Sequence, residues 1–171
     1  MKYKFTAKNI AFMGVGVAGA LILGYIEYRI PIVPSIPGIK LGLSNMMVLL
    51  MFFMGGPRDA GVIAFLKTLL NAVMFSGFSA FLFSMAGVTL AYAFMWITWR
   101  FKWHMVGISV VGALAHNMGQ LIVAALVIQN AGVFVYLPVL MVSAVLTGLL
   151  TGSLASLLVR HLKRAGIGHE G

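Results

Sequence analysis

Residues 105–128 read MVGISVVGALAHNMGQLIVAALVI, 24 positions without one Lys, Arg, Asp or Glu. A helix rises 1.5 Å per residue, so about 20 apolar residues cross the ~30 Å hydrocarbon core of a bilayer. The stretch is long enough, and it is bounded as a span should be. Arg100, Lys102 and His104 precede it and Gln129-Asn130 follow it. A cluster of polar side chains, His116, Asn117 and Gln120, nevertheless sits inside it.

Working outward, similar runs recur on both sides. The chain is 61% hydrophobic and 9% charged over 171 residues. Soluble domains keep roughly a quarter of their residues charged, so this surface is expected to face lipid. Apolar runs at about 10–28, 45–56, 60–75, 78–99, 105–128 and 133–159 predict an all-α bundle of six transmembrane helices in one domain. The second is short and stops at Gly55-Gly56-Pro57-Arg58-Asp59. Its 12 residues cover only ~18 Å as a helix, which suits a tilted or re-entrant segment. No stretch is long enough for a separate soluble domain, and there are no cysteines for disulfides or thiolate metal sites.

Charge sets the expected orientation. With the amino terminus inside, the cytoplasmic segments hold Lys2, Lys4, Lys8, Arg58, Arg100, Lys102, Arg160, Lys163 and Arg164, and the outer ones hold Arg29 and Lys40. Cytoplasmic loops carry the excess of Lys and Arg, so both termini are expected in the cytoplasm and the chain in the plasma membrane. Trp96, Trp99 and Trp103 gather at one of these boundaries, where amphipathic rings prefer to lie. The net charge of +9 is read as topology and not as nucleic-acid binding.

Polar residues inside spans are costly and therefore informative. Counted from Asp59, Lys67 lies ~12 Å into the membrane, with Asn71 one turn further on the same face. Counted from Met105, His116 lies ~16 Å deep and Gln120 ~22 Å, again on a shared face. The two clusters fall at similar depth, which points to a polar pocket formed by Lys67, Asn71, His116, Asn117 and Gln120. Two plainer readings stand beside it: Lys67 snorkelling along its own stem, and the amides and imidazole tying helices together.

The segment Pro34-Ser-Ile-Pro-Gly-Ile-Lys40-Leu-Gly-Leu-Ser-Asn45 is too apolar for a solvated linker and too broken for a helix. It is expected to fold over the pocket mouth, bringing Lys40 and Asn45 to the site. Glu27 and Arg29 stand at the start of the same loop, where a boundary ion pair is the plain expectation. Small residues at Gly16, Ala20 and Gly24 form a stripe on the first helix, with Gly14 and Ala18 alongside. Such stripes let another helix approach closely.

These features together resemble the substrate-binding S components of energy-coupling factor transporters. The Pro34–Asn45 motif is similar to that of the Gx transporter family, also labelled heptaprenyl diphosphate synthase component I. The resemblance implies a subunit that captures a small molecule from outside. It also implies that Gly16, Ala20 and Gly24 dock on a transmembrane coupling subunit driven by cytoplasmic ATPases. No cofactor is expected, and no phosphate-binding loop of the Gly-x-x-x-x-Gly-Lys type occurs. Prenyl elongation needs acidic clusters to hold magnesium diphosphate, and the chain has three acidic residues in all, Glu27, Asp59 and Glu170. A supporting role beside a prenyl synthase is the alternative that the label implies, and catalysis by this chain is not expected.

Overall fold

A computed structural model describes residues 7–29 and 41–166. Among them are six α-helices: α1 (Ala7–Arg29), α2 (Leu43–Met54), α3 (Pro57–Asn71), α4 (Gly77–Arg100), α5 (Met105–Ile128) and α6 (Leu137–Arg164). A π-helical turn, Ala72–Ser76, joins α3 to α4, and a 3-10 turn, Ala131–Tyr136, precedes α6. No β-strand occurs among the described residues.

Local chemistry fixes the breaks. At the end of α2, Gly56 adopts φ 95°, a conformation that side chains resist. Pro57 then opens α3, where its missing N–H costs nothing. Asp59 in the first turn faces the positive end of the helix dipole. Gly77, at φ 77° and ψ 177°, ends the π turn. Between Pro57 and Arg100 the chain is helical almost throughout, but it does not run straight. The Tyr92 hydroxyl donates to the Pro57 carbonyl at 2.9 Å. In an unbroken helix those residues would stand ~52 Å apart, so α3 and α4 form an antiparallel hairpin.

The sixth helix starts at Leu137, later than the Val133 expected from the sequence, because Asn130 redirects the chain. Its side-chain oxygen accepts the Gly132 N–H at 2.7 Å and tightens the next residues into the 3-10 turn. Pro138 then lies in the first turn of α6.

Four helical stretches are long and apolar enough to cross a membrane: residues 9–29, 57–100, 105–128 and 131–164. The α3–α4 hairpin divides the second of these, and α2 is shorter than any of them. Bulky apolar side chains point outward on several of the helices, among them Val15, Val73, Phe78, Leu126 and Val142. Water would not tolerate that exterior, and lipid does.

The tight core lies at one end. Phe52, Leu49, Met51, Ile63 and Ile108 are its largest fully buried side chains. Phe52 meets Tyr92 and Trp99 at ring distances of 5.9 and 5.8 Å. Phe12 of α1, Met105 of α5 and Leu162 of α6 pack around the same cluster, so the start of α1 and the end of α6 share that end. Small residues let the longer helices touch. A Cβ on Gly148 would come 2.7 Å from the Val110 Cα, and one on Gly119 would come 2.7 Å from the Ala86 carbonyl oxygen.

The small stripe on α1 faces inward. A Cβ on Gly16 would meet Ile63 and Met51 at 2.8 and 3.2 Å, and one on Gly24 would meet the Asn71 amide at 3.0 Å. Ala20 is fully buried. The close approach at these three positions is therefore made by α2 and α3 of the same chain. Gly14 and Ala18 lie on the exposed side of α1, and nothing lies within 4 Å of a Cβ built on Gly14.

Candidate functional site

The end opposite the tight core is hollow. On α3 the inward face runs Ala60, Ile63, Ala64, Lys67 and Thr68, the i, i+3, i+4, i+7 and i+8 positions of one stripe. Its apolar members join the core, and Lys67 continues the same face one turn on. Lys67 is only 5% exposed. Its ammonium donates to Ser44 Oγ at 2.8 Å and to Asn45 Oδ1 at 2.6 Å. Both acceptors come from the first turn of α2, directly after Gly42, whose φ of 74° turns the chain into that helix. The Gly42 N–H donates to the Glu27 carboxylate on α1. The Gly-Leu-Ser-Asn end of the sequence motif thus turns the chain, anchors it to Glu27 and grips the buried lysine.

A cavity of about 130 Å³ opens beside this grip. Asn45, Lys67, Asn71, His116, Asn117 and Gln120 all line it. Lys40 lies outside the described residues, as does most of the segment expected to cover the mouth. His116 and Gln120 project from α5 towards Gly87 of α4, where a Cβ would come 3.0 Å from the imidazole Cε1 and 2.8 Å from Gln120 Cγ. That glycine makes room for both side chains. Asn117 also ties two helices, since its Nδ2 donates to the Leu140 carbonyl of α6 at 2.8 Å. Asn71 packs its amide against Gly24.

Other lining residues carry weaker sequence signals. Ala80, Ser84 and Val88 repeat at four-residue spacing on α4, and Thr147 comes from α6. Glu27 also faces the cavity. Its carboxylate accepts the Gly42 N–H, whereas Arg29, its expected boundary partner, is exposed. At the mouth, Phe75 of the π turn lies 5.3 Å from Tyr25 and 6.2 Å from Tyr28, ring to ring. The π turn contributes Ala72, Phe75 and Ser76 to the wall, and such turns widen a helix locally.

A second compartment, about 50 Å³, continues from the first between α2, α4, α5 and α6. The two share Gly42, Asn45, Val88, Ala113 and Thr147. Beyond that rim the walls include Val48, Leu49, Ala64, Ala91 and Met95. Its hydroxyls are already engaged. Ser109 and Thr151 hydroxyls bond each other at 3.1 Å, Thr147 donates to the Ser143 carbonyl at 2.9 Å, and the Tyr92 hydroxyl serves Pro57.

The site therefore offers one ammonium, one carboxylate, one imidazole and several amides converging on a space, with an apolar annex. No group of three or more metal-ligating side chains occurs among the described residues. The arrangement suits holding a small molecule by several directed contacts inside an otherwise apolar bundle.

Compared with known families, residues 4–158 match the profile described as heptaprenyl diphosphate synthase component I. The chain belongs to that family. The family match spans α1 to most of α6, so it covers every described residue of the site. The family's name describes one component of a larger assembly. No curated protein and no solved structure matches the chain.

Proposed function

We propose that this member of the family is the membrane-embedded solute-binding subunit of an importer of the energy-coupling factor type. It captures a small amphipathic molecule with an anionic group, in the class of vitamin-like compounds or isoprenoid and quinone precursors, from the outer side. The observation that carries the reading is Lys67. A buried ammonium in an apolar bundle costs several kcal/mol unless it serves a cavity or a partner, and here Ser44 and Asn45 orient it at a cavity wall. An anion placed there would gain charge-assisted hydrogen bonds in a medium of low dielectric constant. The excess of Lys and Arg at the core end supports a cytoplasmic location for that end, which leaves the cavity open towards the outside.

On this reading the chain has six crossings, lies in the plasma membrane with both termini in the cytoplasm, and binds without catalysis. Its partners are the bilayer, a transmembrane coupling subunit and cytoplasmic ATPases. The coupling subunit would meet the outward side of α1, at Gly14 and Ala18, because Gly16, Ala20 and Gly24 are covered by the chain's own helices.

Native mass spectrometry of the protein drawn gently from its own membranes tests this. A bound small anion together with coupling and ATPase subunits is the expected spectrum. The family name favours a second reading, an accessory membrane subunit of polyprenyl diphosphate or quinone metabolism. A complex with a soluble prenyl synthase and an empty cavity would establish that alternative instead.

A further inference from the structure

The annex beside the polar cavity is walled mainly by apolar side chains, and its shape is set by replaceable ones. We infer that it is a tail subsite: the ligand's anionic group lies against Lys67 and an apolar tail enters between α2, α4 and α5 towards Met95. This inference rests on the solute-binding reading of the Lys67 cavity and specifies what that site accepts.

Three observations carry it. First, the compartments adjoin, because five residues line both. A single molecule can therefore occupy the two together. Second, the hydroxyl protons of the annex are already given to carbonyls or to each other, so an anionic or carbonyl oxygen entering it would lose water and find no hydroxyl donor. An alkyl group entering it would gain the full transfer energy of apolar burial. Third, the annex has a definite floor. Met95 lies where a side chain of Gly112 would be, since a Cβ on Gly112 would come 2.8 Å from its Cγ and 2.9 Å from its sulfur. Glycine on α5 thus gives the thioether its place, and a flexible methionine closes the bottom.

The helix register gives the depth. From the shared rim to the floor, Val88 to Met95 on α4 spans ~10 Å and Ala113 to Ser109 on α5 spans ~6 Å. Within that interval the annex of about 50 Å³ takes a tail of about three to five carbons, at roughly 10–15 Å³ for each water-sized group. A full polyprenyl chain is excluded from lying wholly within it.

The test is a titration of monoalkyl phosphates and alkanoates, with tails of one to ten carbons, into the protein in lipid nanodiscs, read by calorimetry. Protein-free nanodiscs provide the reference for partition into lipid. Affinity is expected to rise about fourfold per added methylene and to level off at about three to five carbons. Ala91→Leu fills the annex and should bring the plateau to shorter tails. Met95→Ala opens the floor and should move it to longer ones. Methyl phosphate and acetate should bind wild type and both variants alike. Affinity independent of tail length, or the same plateau in both variants, would overturn the tail subsite while leaving the cavity intact. No binding of any probe above protein-free nanodiscs would overturn the cavity reading and the subsite with it.

Discussion

Replacing Lys67 with methionine separates a ligand-binding lysine from a structural one. The substitution keeps most of the length of a side chain whose residue is 5% exposed and removes the ammonium, which donates to Ser44 and Asn45 at 2.8 and 2.6 Å. For the fold, two effects oppose each other. The two acceptors lose a charged donor, and an unsatisfied buried acceptor costs about 1–3 kcal/mol. Against that, a charge no longer has to be held in an apolar bundle, a relief of about 2.5–3.5 kcal/mol on insertion scales. Both acceptors line a cavity, where water reduces the first cost. The midpoint of thermal unfolding is therefore expected to stay put or rise by a few degrees. For the ligand there is no offset. Losing one charge-assisted hydrogen bond costs about 1.5–3 kcal/mol, a fall in affinity of about 10- to 150-fold. Thermal unfolding and calorimetric titration of the same nanodisc sample give both numbers. A variant that melts well below wild type yet binds undiminished would show that Lys67 pins α2 to α3, and the ligand role assigned to it would fall.

Gly148→Ala should destabilise by about 1–3 kcal/mol, because its Cβ would press on the Val110 backbone, whereas Gly14→Ala should raise stability slightly, and thermal unfolding compares them. Asn117→Ala should cost about 0.6 kcal/mol, the typical value for a hydrogen bond between membrane helices, as seen in the unfolding midpoint. Tyr92→Phe should cost about 1 kcal/mol by freeing the Pro57 carbonyl, with binding of methyl phosphate unchanged in calorimetry. Ala18→Leu should reduce recovery of coupling and ATPase subunits in an affinity pull-down without altering ligand affinity; unchanged recovery would move the docking face off the outward side of α1.

The helices are legible in the sequence because lipid demands long apolar runs, and Gly55-Gly56-Pro57 marks a break by its own chemistry. The start of α6 is not, since Ala131–Tyr136 is as apolar as a helix and only the Asn130 cap reveals the tighter turn. The polar cluster is legible because a lysine, an imidazole and three amides are conspicuous in apolar surroundings, and helical spacing places them at one depth. Hydroxyls are inconspicuous for the opposite reason. Thr68, Thr98, Thr147 and Thr151 each bond a carbonyl one turn back, so a threonine in a membrane helix raises no alarm. Ser44 is hidden in the same way beside the more visible Asn45. The stripe of Gly16, Ala20 and Gly24 announces that something packs closely on α1, but a stripe of small residues does not name its neighbour. The neighbour is the α2–α3 pair.

The separation of tight packing from hollow space has a consequence for how the molecule breathes. Aromatic rings and buried aliphatics clamp one end of the bundle, while at the other end a lysine, its two acceptors and the π turn stand around a void. Opening fluctuations follow the weakest packing, so amide hydrogens of residues 68–76 should exchange with solvent before those of 48–52. The bundle then behaves like a pair of tongs, with its pivot at Phe52 and its tips at Lys67 and Phe75. Whatever enters between the tips should slow exchange there first and leave the pivot unaffected.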